Sequence, residues 1–210
     1  MRRGFTLVEM LVVIGIISIL MGVGIGTYSS VTKTAEKAKC QELVSNVATA
    51  LTALYQQEGA WPRRIAAQGA TDGRLDADTA FALAANGRKY LSLNVNSAGT
   101  ALIGLDRFGI VSPWATAVIK RKGADASLGT VVSIAKDGAK TIEDHILHFA
   151  VDLDGNGIIE GASVGGESVD VRATAIVWSA GKDGKMEPYT KGQRKDDVYS
   201  WTPGMTRNVR

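Results

Sequence analysis

Several residue types are scarce in this chain of 210 residues, and each scarcity excludes a class of protein. The single cysteine, Cys40, rules out an intramolecular disulfide. Only 4 prolines accompany 24 glycines, which favours an ordered chain with many turns over a proline-rich disordered one. The two histidines, His145 and His148, are three residues apart and would face opposite sides of a strand, so they predict no zinc site. The sequence contains no phosphate-binding loop, no nucleophile motif and no acid pair in a cleft-like context, so it does not indicate an enzyme.

The charge balance is too small to indicate a nucleic-acid partner. Formal net charge is +3, from 24 basic and 21 acidic residues. Arg2 and Arg3 lie at the extreme N-terminus, and the chain without them carries +1. We therefore expect no nucleic-acid binding as a default.

The organising stretch of the chain is an apolar run at its N-terminus. Arg2 and Arg3 precede Gly4, and nearly every following residue up to Gly26 is apolar. Such a run can cross a bilayer, with the arginines on the cytoplasmic side. Its one carboxylate, Glu9, is costly at bilayer depth unless paired, which makes it a candidate functional residue. An ordinary secretory signal peptide is the alternative, but it needs a small-residue cleavage site after the apolar run and would not place a Glu beside it.

The six residues Gly-Phe-Thr-Leu-Val-Glu over 4–9 resemble the processing site of the type IV pilin superfamily, which includes type IV pilins and the pseudopilins of type II secretion. The resemblance implies that a prepilin peptidase cuts after Gly4 and methylates the new amino terminus at Phe5. It also implies that Glu9 neutralises the terminal amine of a neighbouring subunit when the helices bundle into a filament. Opposite charges in hydrocarbon partly cancel each other's cost.

The helical pattern continues beyond the apolar run and becomes amphipathic. Apolar residues recur at three- and four-residue steps: Val31, Ala35, Ala38, Val44, Val47, Leu51 and Leu54. Gly59 and Pro62 then indicate the end of the helix. We predict a leader peptide over 1–4, a transmembrane half of the long helix over 5–26, an amphipathic half over 27–59, a globular β-rich domain over 60–204 and a frayed tail over 205–210.

The globular domain carries three strand candidates, at residues 112–120, 146–153 and 171–179. Residues 146–153 alternate, with Leu147, Phe149, Val151 and Leu153 on one predicted face. We therefore predict an α+β fold in which a long N-terminal α-helix packs on a small antiparallel β-sheet, as in pilins.

Near the C-terminus, the run Trp-Ser-Ala-Gly-Lys-Asp-Gly over 178–184 is followed by Asp-Asp-Val-Tyr-Ser-Trp over 196–201. This pair of motifs resembles the C-terminal loop that encloses calcium in the major pseudopilin of type II secretion. The resemblance implies that Asp183, Asp196 and Asp197 supply carboxylates and that carbonyls near Trp178 and Ala180 complete an oxygen shell, which suits Ca²⁺. The intervening loop departs from this pattern with Lys185, Lys191, Arg194 and Lys195. A solvated turn whose acids pair with these bases is the alternative.

A second acidic stretch covers residues 152–160. Its Asp-x-Asp-x-Asn-Gly opening looks like the first half of an EF-hand loop. The candidate ligands are Asp152, Asp154, Asn156 and Glu160. The twelfth position is Ser163 where a complete loop has a bidentate Glu, so a glycine-rich hairpin turn explains the stretch almost as well.

The resemblance as a whole implies a structural subunit rather than an enzyme, most like the major pseudopilin of type II secretion. It would form a homopolymer through its N-terminal helix, with prepilin peptidase, an inner-membrane assembly platform and minor pseudopilins as partners. The precursor would cross the inner membrane once and hold its globular domain in the periplasm. One alternative is a type IV pilin for adhesion, motility or DNA uptake, and another is a membrane-anchored calcium-binding module.

Overall fold

The computed structural model describes residues 7–84, 90–94, 102, 106–115, 142–192 and 196–210, without the side chains of residues 23–29, 107 and 192. The chain divides into two compact units, Met1–Ala38 and Lys39–Arg210. The second unit contains seven described strands in two antiparallel sheets. The predicted α+β class, a long helix with small antiparallel sheets, is confirmed.

The long helix α1 covers Leu7–Glu58. In the first unit its large apolar side chains are exposed, as at Leu7, Leu11 and Ile14. Among the helices that the structure describes, none is both long and apolar enough to cross a membrane. The predicted transmembrane half begins at residue 5, outside the described part of the chain, and it stays a prediction.

In the second unit, α1 contributes one face to the core. The buried residues follow the predicted spacing: Cys40, Val44, Val47, Leu51 and Leu54. The prediction is wrong for the earlier part of the stripe, because Val31, Ala35 and Ala38 are exposed and belong to the first unit. The helix ends as expected: Gly59 has φ +70°, and its N–H donates to the Tyr55 carbonyl at 2.9 Å.

Three short elements follow in the region next to the sheet: α2 (Arg63–Gln68), β1 (Gly73–Arg74) and α3 (Ala77–Ala84). Ile65 is the buried residue of α2. Asp76 caps α3, since its Oδ1 accepts the Thr79 N–H at 2.8 Å. Three-residue 3₁₀ helices lie at Asp106–Phe108, Glu143–His145 and Pro203–Met205.

The remaining strands are β2 (His148–Val151), β3 (Ile159–Val164), β4 (Glu167–Val171), β5 (Ala175–Ser179), β6 (Val198–Tyr199) and β7 (Thr206–Val209), with a one-turn helix at Tyr189–Gly192. One sheet has the order β1-β2-β5-β6 and the other β3-β4-β7. In the first sheet, β2 and β5 pair with His148 opposite Trp178 and Val151 opposite Ala175.

The first sheet is buried on both faces, which its alternating sequence did not indicate. Phe149 and Val151 of β2 point into a core shared with α1, whereas Ala150 points into a second core with Trp178. Phe149 and Trp178 are fully buried. Burying a side chain of this size contributes about 1.5–3 kcal/mol. This doubly covered sheet is the fixed frame from which the acidic loops extend.

Three sequence predictions need correction in this unit. Residues 171–179 do not form one strand, because a turn after Val171 separates β4 from β5. The predicted frayed tail is wrong, since β7 pairs with β4 through Asn208 opposite Asp170. Of the predicted strand over 112–120, the described residues form a turn beside a single bridge from Val111 to Ile146, and residues 116–120 lie outside the described part of the chain.

Candidate functional site

The N-terminal processing motif lies at the start of α1. Gly4 and Phe5 fall outside the described residues, and Glu9 lies in the first turn of the helix. A carboxylate is stabilised there by the partial positive charge of the helix N-terminus. The apolar side chains around it are exposed, with Leu7 at 81% and Val8 at 68%. An exposed apolar face of this kind marks a surface for association.

The C-terminal loop links two paired strands of the first sheet. Ser179 of β5 pairs with Val198 of β6, and Trp178 pairs with Tyr199. This pairing brings Asp196 and Asp197, which precede β6, back to the loop that leaves β5. The loop as far as residue 192 and from residue 196 onward is described, so Lys185 and Lys191 are in view while Arg194 and Lys195 are not.

Asp196 holds the first turn of this loop. Its Oδ2 accepts the backbone N–H groups of Lys182 at 2.6 Å and Asp183 at 3.1 Å. Gly181 has φ +64°, and a Cβ there would stand 2.6 Å from the Asp196 carbonyl oxygen. Only glycine satisfies both conditions, since L side chains rarely adopt that φ. The Asp183 Oδ1 in turn accepts the N–H of Lys185 at 2.9 Å.

Asp197 is the buried member of the three, with 3% of its surface exposed. Its Oδ2 accepts the Glu187 N–H and the Tyr199 hydroxyl, each at 3.2 Å. Its Oδ1 is buried and accepts no hydrogen bond from the described residues. Burial raises the pKa of Asp197 to about 7, and the negative charges of Asp196 and Asp183 add to the rise against the lowering effect of its hydrogen bonds.

These residues fit a hard cation in part. A buried carboxylate oxygen without a donor, close to two more carboxylates, is the environment that a cation stabilises. However, no group of three or more His, Cys, Asp or Glu side chains among the described residues is arranged to hold a metal ion. A calcium ion would therefore need backbone carbonyls such as that of Ala180 beside the carboxylates. The calcium prediction for Asp183, Asp196 and Asp197 stays a prediction.

The sequence analysis missed one partner in this loop. Tyr199 donates its hydroxyl to Asp197, and burial, together with the Asp197 charge, raises the pKa of this tyrosine above its ordinary value. Strand alternation could not have predicted this contact, because Asp197 precedes β6. The hydrogen bond orients the Asp197 carboxylate.

The second acidic loop, residues 152–157, is closed by its own backbone. Asp152 is 3% exposed; its Oδ1 accepts the Gly155 N–H at 2.9 Å and its Oδ2 the Gly157 N–H at 2.7 Å. Asp154 accepts two bonds from Asn156, and Asn156 accepts one from Ile158. Glu160 is exposed on β3. The bonds that Asp154 and Asn156 accept from backbone N–H groups two residues on are those of consecutive Asx turns. The hairpin interpretation is wrong, because the two strands that this loop joins, β2 and β3, lie in different sheets. Metal binding by Asp152, Asp154, Asn156 and Glu160 remains a prediction.

Both histidines have protein partners. His148 Nδ1 lies 2.6 Å from Asp72 Oδ1, and its ring stacks on Trp178 with centroids 5.8 Å apart. His145 Nδ1 lies 3.3 Å from the Ser112 hydroxyl, and both residues are buried.

Comparison with known proteins gives one family match and several relatives. Residues 1–25 match the family described as the prokaryotic N-terminal methylation motif. The chain is 25% identical over 138 residues to the fimbrial protein EcpC of Eikenella corrodens, which covers 66% of this chain and 78% of that protein. It is 33% identical over 63 residues to the type IV major pilin protein PilE of Neisseria gonorrhoeae, covering 30% of this chain and 38% of that protein. A fimbrial protein of Neisseria meningitidis serogroup B is 34% identical over 62 residues, or 30% of this chain and 36% of that protein. No solved structure gives a significant match.

Proposed function

We propose that this chain belongs to the type IV pilin superfamily and is a structural subunit of a pilus-like filament and not an enzyme. The observation that carries the proposal is the methylation motif over residues 1–25, at the start of a helix whose apolar side chains are exposed. In this proposal a prepilin peptidase cuts the membrane-anchored precursor after Gly4 and methylates Phe5. The exposed apolar face of α1 is then buried against the same face of neighbouring copies.

Glu9 has a specific role in this assembly. Its carboxylate pairs with the methylated amine of Phe5 on a neighbouring subunit, which relieves the cost of both charges in an apolar helix bundle. The pairing also fixes the axial position of one subunit against the next, since only one stagger brings the two groups together.

The finer proposal is that the filament belongs to a type II secretion system, with this chain as the major pseudopilin. The motifs around Asp183 and Asp196 support it, because they resemble the calcium loop of that subunit. The precursor would then sit in the inner membrane, with Lys39–Arg210 in the periplasm. Its partners would be the inner-membrane assembly platform and the minor pseudopilins.

A type IV pilin for adhesion, motility or DNA uptake is the second candidate. The names of the relatives favour it, since they describe fimbrial proteins and major pilins. The single cysteine argues against it, because a pair of cysteines near the C-terminus is usual in many such pilins and this chain has only Cys40.

Calcium is part of the finer proposal. The carboxylates of Asp183, Asp196 and Asp197 and carbonyls near Trp178 and Ala180 would hold the ion. A bound divalent cation would neutralise the acids and supply a partner for the Asp197 Oδ1, which has none among the described residues. The ion is structural, and its effect is on the stability of the loop.

Mass spectrometry of native filaments tests the function. We expect a chain that starts at N-methylated Phe5, and filaments whose subunits retain Met1 would contradict the proposal. Glu9→Val should leave membrane insertion intact and reduce assembled filament roughly tenfold or more, because one charge of the pair then lacks its partner. Glu42→Val, an exposed acid on the same helix, is the matched control. Secretion of exoproteins, compared with twitching and adhesion, in a strain lacking the chain decides between the two filament classes.

A further inference from the structure

A groove of about 310 Å³ opens on the second unit beside α3. Its floor is apolar and consists of Ala77, Phe108, Ile142 and Ile146. Its rim carries three carboxylates: Asp76, Asp78 and Glu143. An adjoining depression shares Asp76, Glu143 and Ile146 and adds Asp72 and the basic Arg74. The groove therefore offers apolar contact area under an edge on which acidic residues outnumber basic ones.

The rim carboxylates differ in the hydrogen bonds and ion pairs that they form within the chain. Asp76 caps α3, and Asp78 forms an exposed ion pair with Arg64. Glu143 is exposed, and its carboxylate has no hydrogen-bond or ion-pair partner among the described residues. Exposed ion pairs such as that of Asp78 contribute little, so its carboxylate can exchange Arg64 for another cation at small cost.

The C-terminal strand β7 is complementary to this groove. It pairs with β4 and, in the described part of the sheet, forms an edge strand. Val209 is 40% exposed, and Arg207 lies two residues before it, on the same face of the strand. Arg210 follows Val209 directly and lies on the opposite face, which it shares with Asn208. The strand therefore presents an apolar side chain beside one cation.

We propose that the groove rimmed by Asp76, Asp78 and Glu143 binds strand β7 of a second copy of this chain. Val209 would contact the apolar floor, while Arg207 would pair with the rim. The inference rests on the proposed filament function. A filament needs two different complementary patches on each subunit, because such head-to-tail contacts propagate without closing. Opposite charge on the two patches also fixes the register and excludes wrong pairings.

Cysteine cross-linking in assembled filaments tests the contact. Glu143→Cys and Arg207→Cys are introduced together into the full chain, since neither residue caps a helix or lies in a core. Native Cys40 is fully buried and gives the unreacted background. Mild oxidation should yield a ladder of dimers, trimers and longer species, because each copy would be joined to two others. Each single variant should give no ladder.

A matched control replaces the strand residue by another exposed arginine. Glu143→Cys combined with Arg172→Cys, in the turn after β4, should give no ladder. Filaments that form normally but show no ladder with Arg207→Cys would overturn the contact and leave the proposed function intact. Dimers from Glu143→Cys alone, or capture of a different protein, would also overturn it. A failure of the unsubstituted chain to assemble would instead count against the proposed function.

Charge reversal gives a second readout that does not depend on oxidation. Glu143→Lys and Arg207→Glu should each lower filament yield roughly tenfold or more, because each places like charges opposite one another. The double variant should recover most of the yield, with Arg172→Glu as the control that leaves it unchanged. If the double variant gives a filament yield as low as the product of the two single losses predicts, the pairing would be overturned.

Discussion

The two acidic loops of this chain have similar compositions, but the buried carboxylates of Asp152 and Asp197 differ in how many of their oxygens accept hydrogen bonds. In residues 152–157, both oxygens of the buried Asp152 accept backbone N–H groups from within the loop. In the loop that ends at Asp197, the equally buried carboxylate keeps one oxygen without a donor among the described residues. The first loop is thus complete as a polypeptide turn, whereas in the second loop the Asp197 Oδ1 has no hydrogen-bond partner in the part of the chain that the structure describes.

The difference shows why acid content alone does not identify a cation site. A carboxylate that accepts several backbone N–H groups is already stabilised in its charged form. A carboxylate that is buried beside two other acids is not, and the pKa of Asp197 rises to about 7 for that reason. A bound cation or a proton can stabilise the buried Asp197 carboxylate of the second loop. Each of the following experiments acts on one loop and leaves the other as its reference.

Calcium removal should give the largest difference between the loops. Binding only to the folded state stabilises by RT ln(1 + [L]/Kd), or roughly 2.7 kcal/mol at a hundredfold excess. Sites in extracellular modules bind at about 10⁻⁴ to 10⁻³ M, so millimolar calcium is the range to compare with chelator. We expect the melting temperature in chelator to fall by several degrees, measured by calorimetry on the full chain in detergent.

The substitution Asp197→Ala should abolish that calcium dependence, and Asp152→Ala should leave it intact. An unchanged melting temperature on chelation would return the C-terminal loop to a solvated turn. Dependence that survives Asp197→Ala and disappears with Asp152→Ala would move the calcium site to residues 152–160.

The pH dependence of the chelated protein should be the next largest effect. The pKa of Asp197 is about 7 in the folded chain against 3.8 ordinarily, so the folded state binds this proton more tightly than the unfolded state. Its contribution to the free energy of unfolding is therefore full below about pH 4 and is lost as the pH rises to about 7. Asp197→Asn should flatten this window in denaturant titrations. Stability that rises with pH across the window in chelator, and does so only while Asp197 is present, would contradict the assignment.

Asp152→Ala should destabilise the protein equally with and without calcium. The change removes acceptors for the Gly155 and Gly157 N–H groups, and each lost hydrogen bond costs about 0.5–1.5 kcal/mol. The expected loss is about 1–3 kcal/mol in urea unfolding, and Trp61 should report it, because its ring N–H donates to the Asp152 carbonyl. A loss that appears only in the presence of calcium would mean that this loop binds the ion.

Asp154→Ala should have the smallest effect. Among the described residues, its carboxylate accepts hydrogen bonds from Asn156 alone, and both residues are exposed. Exposed substitutions of this kind usually change stability by no more than about 0.5 kcal/mol. A change of several degrees in the melting temperature, with calcium present, would indicate that Asp154 is a ligand and that the two loops are more alike than their hydrogen bonds suggest.

Local patterns predicted the helical framework well. The spacing of Val44, Val47, Leu51 and Leu54 predicted the buried face of α1, because a helix repeats its surface every 3.6 residues. Gly59 predicted the helix end through its tolerance of positive φ. The contiguous motif from Gly4 to Glu9 carried the resemblance to the type IV pilin superfamily, and the N-terminal match to a known family covers the same residues.

Predictions that depended on distant partners failed or stayed open. Residues 205–210 contain no strong strand signal, and β7 exists because β4 offers an unpaired edge. The alternation in β2 predicted one buried face, yet a second core covers the other. Neither the pairing partner nor the second core is encoded near the residues concerned.

The sequence by itself therefore determined the long helix, its end, the processing motif and which residues carry carboxylates. Tertiary structure alone decided which charged groups and hydrogen-bond donors lie beside those carboxylates. The pairing of Ser179 with Val198 buries Asp197 between two other acids, while the turn after β2 supplies Asp152 with its own N–H donors. The physical reason is that a charge is stabilised or destabilised by groups within a few ångströms, and chain folding sets those neighbours over any distance in sequence.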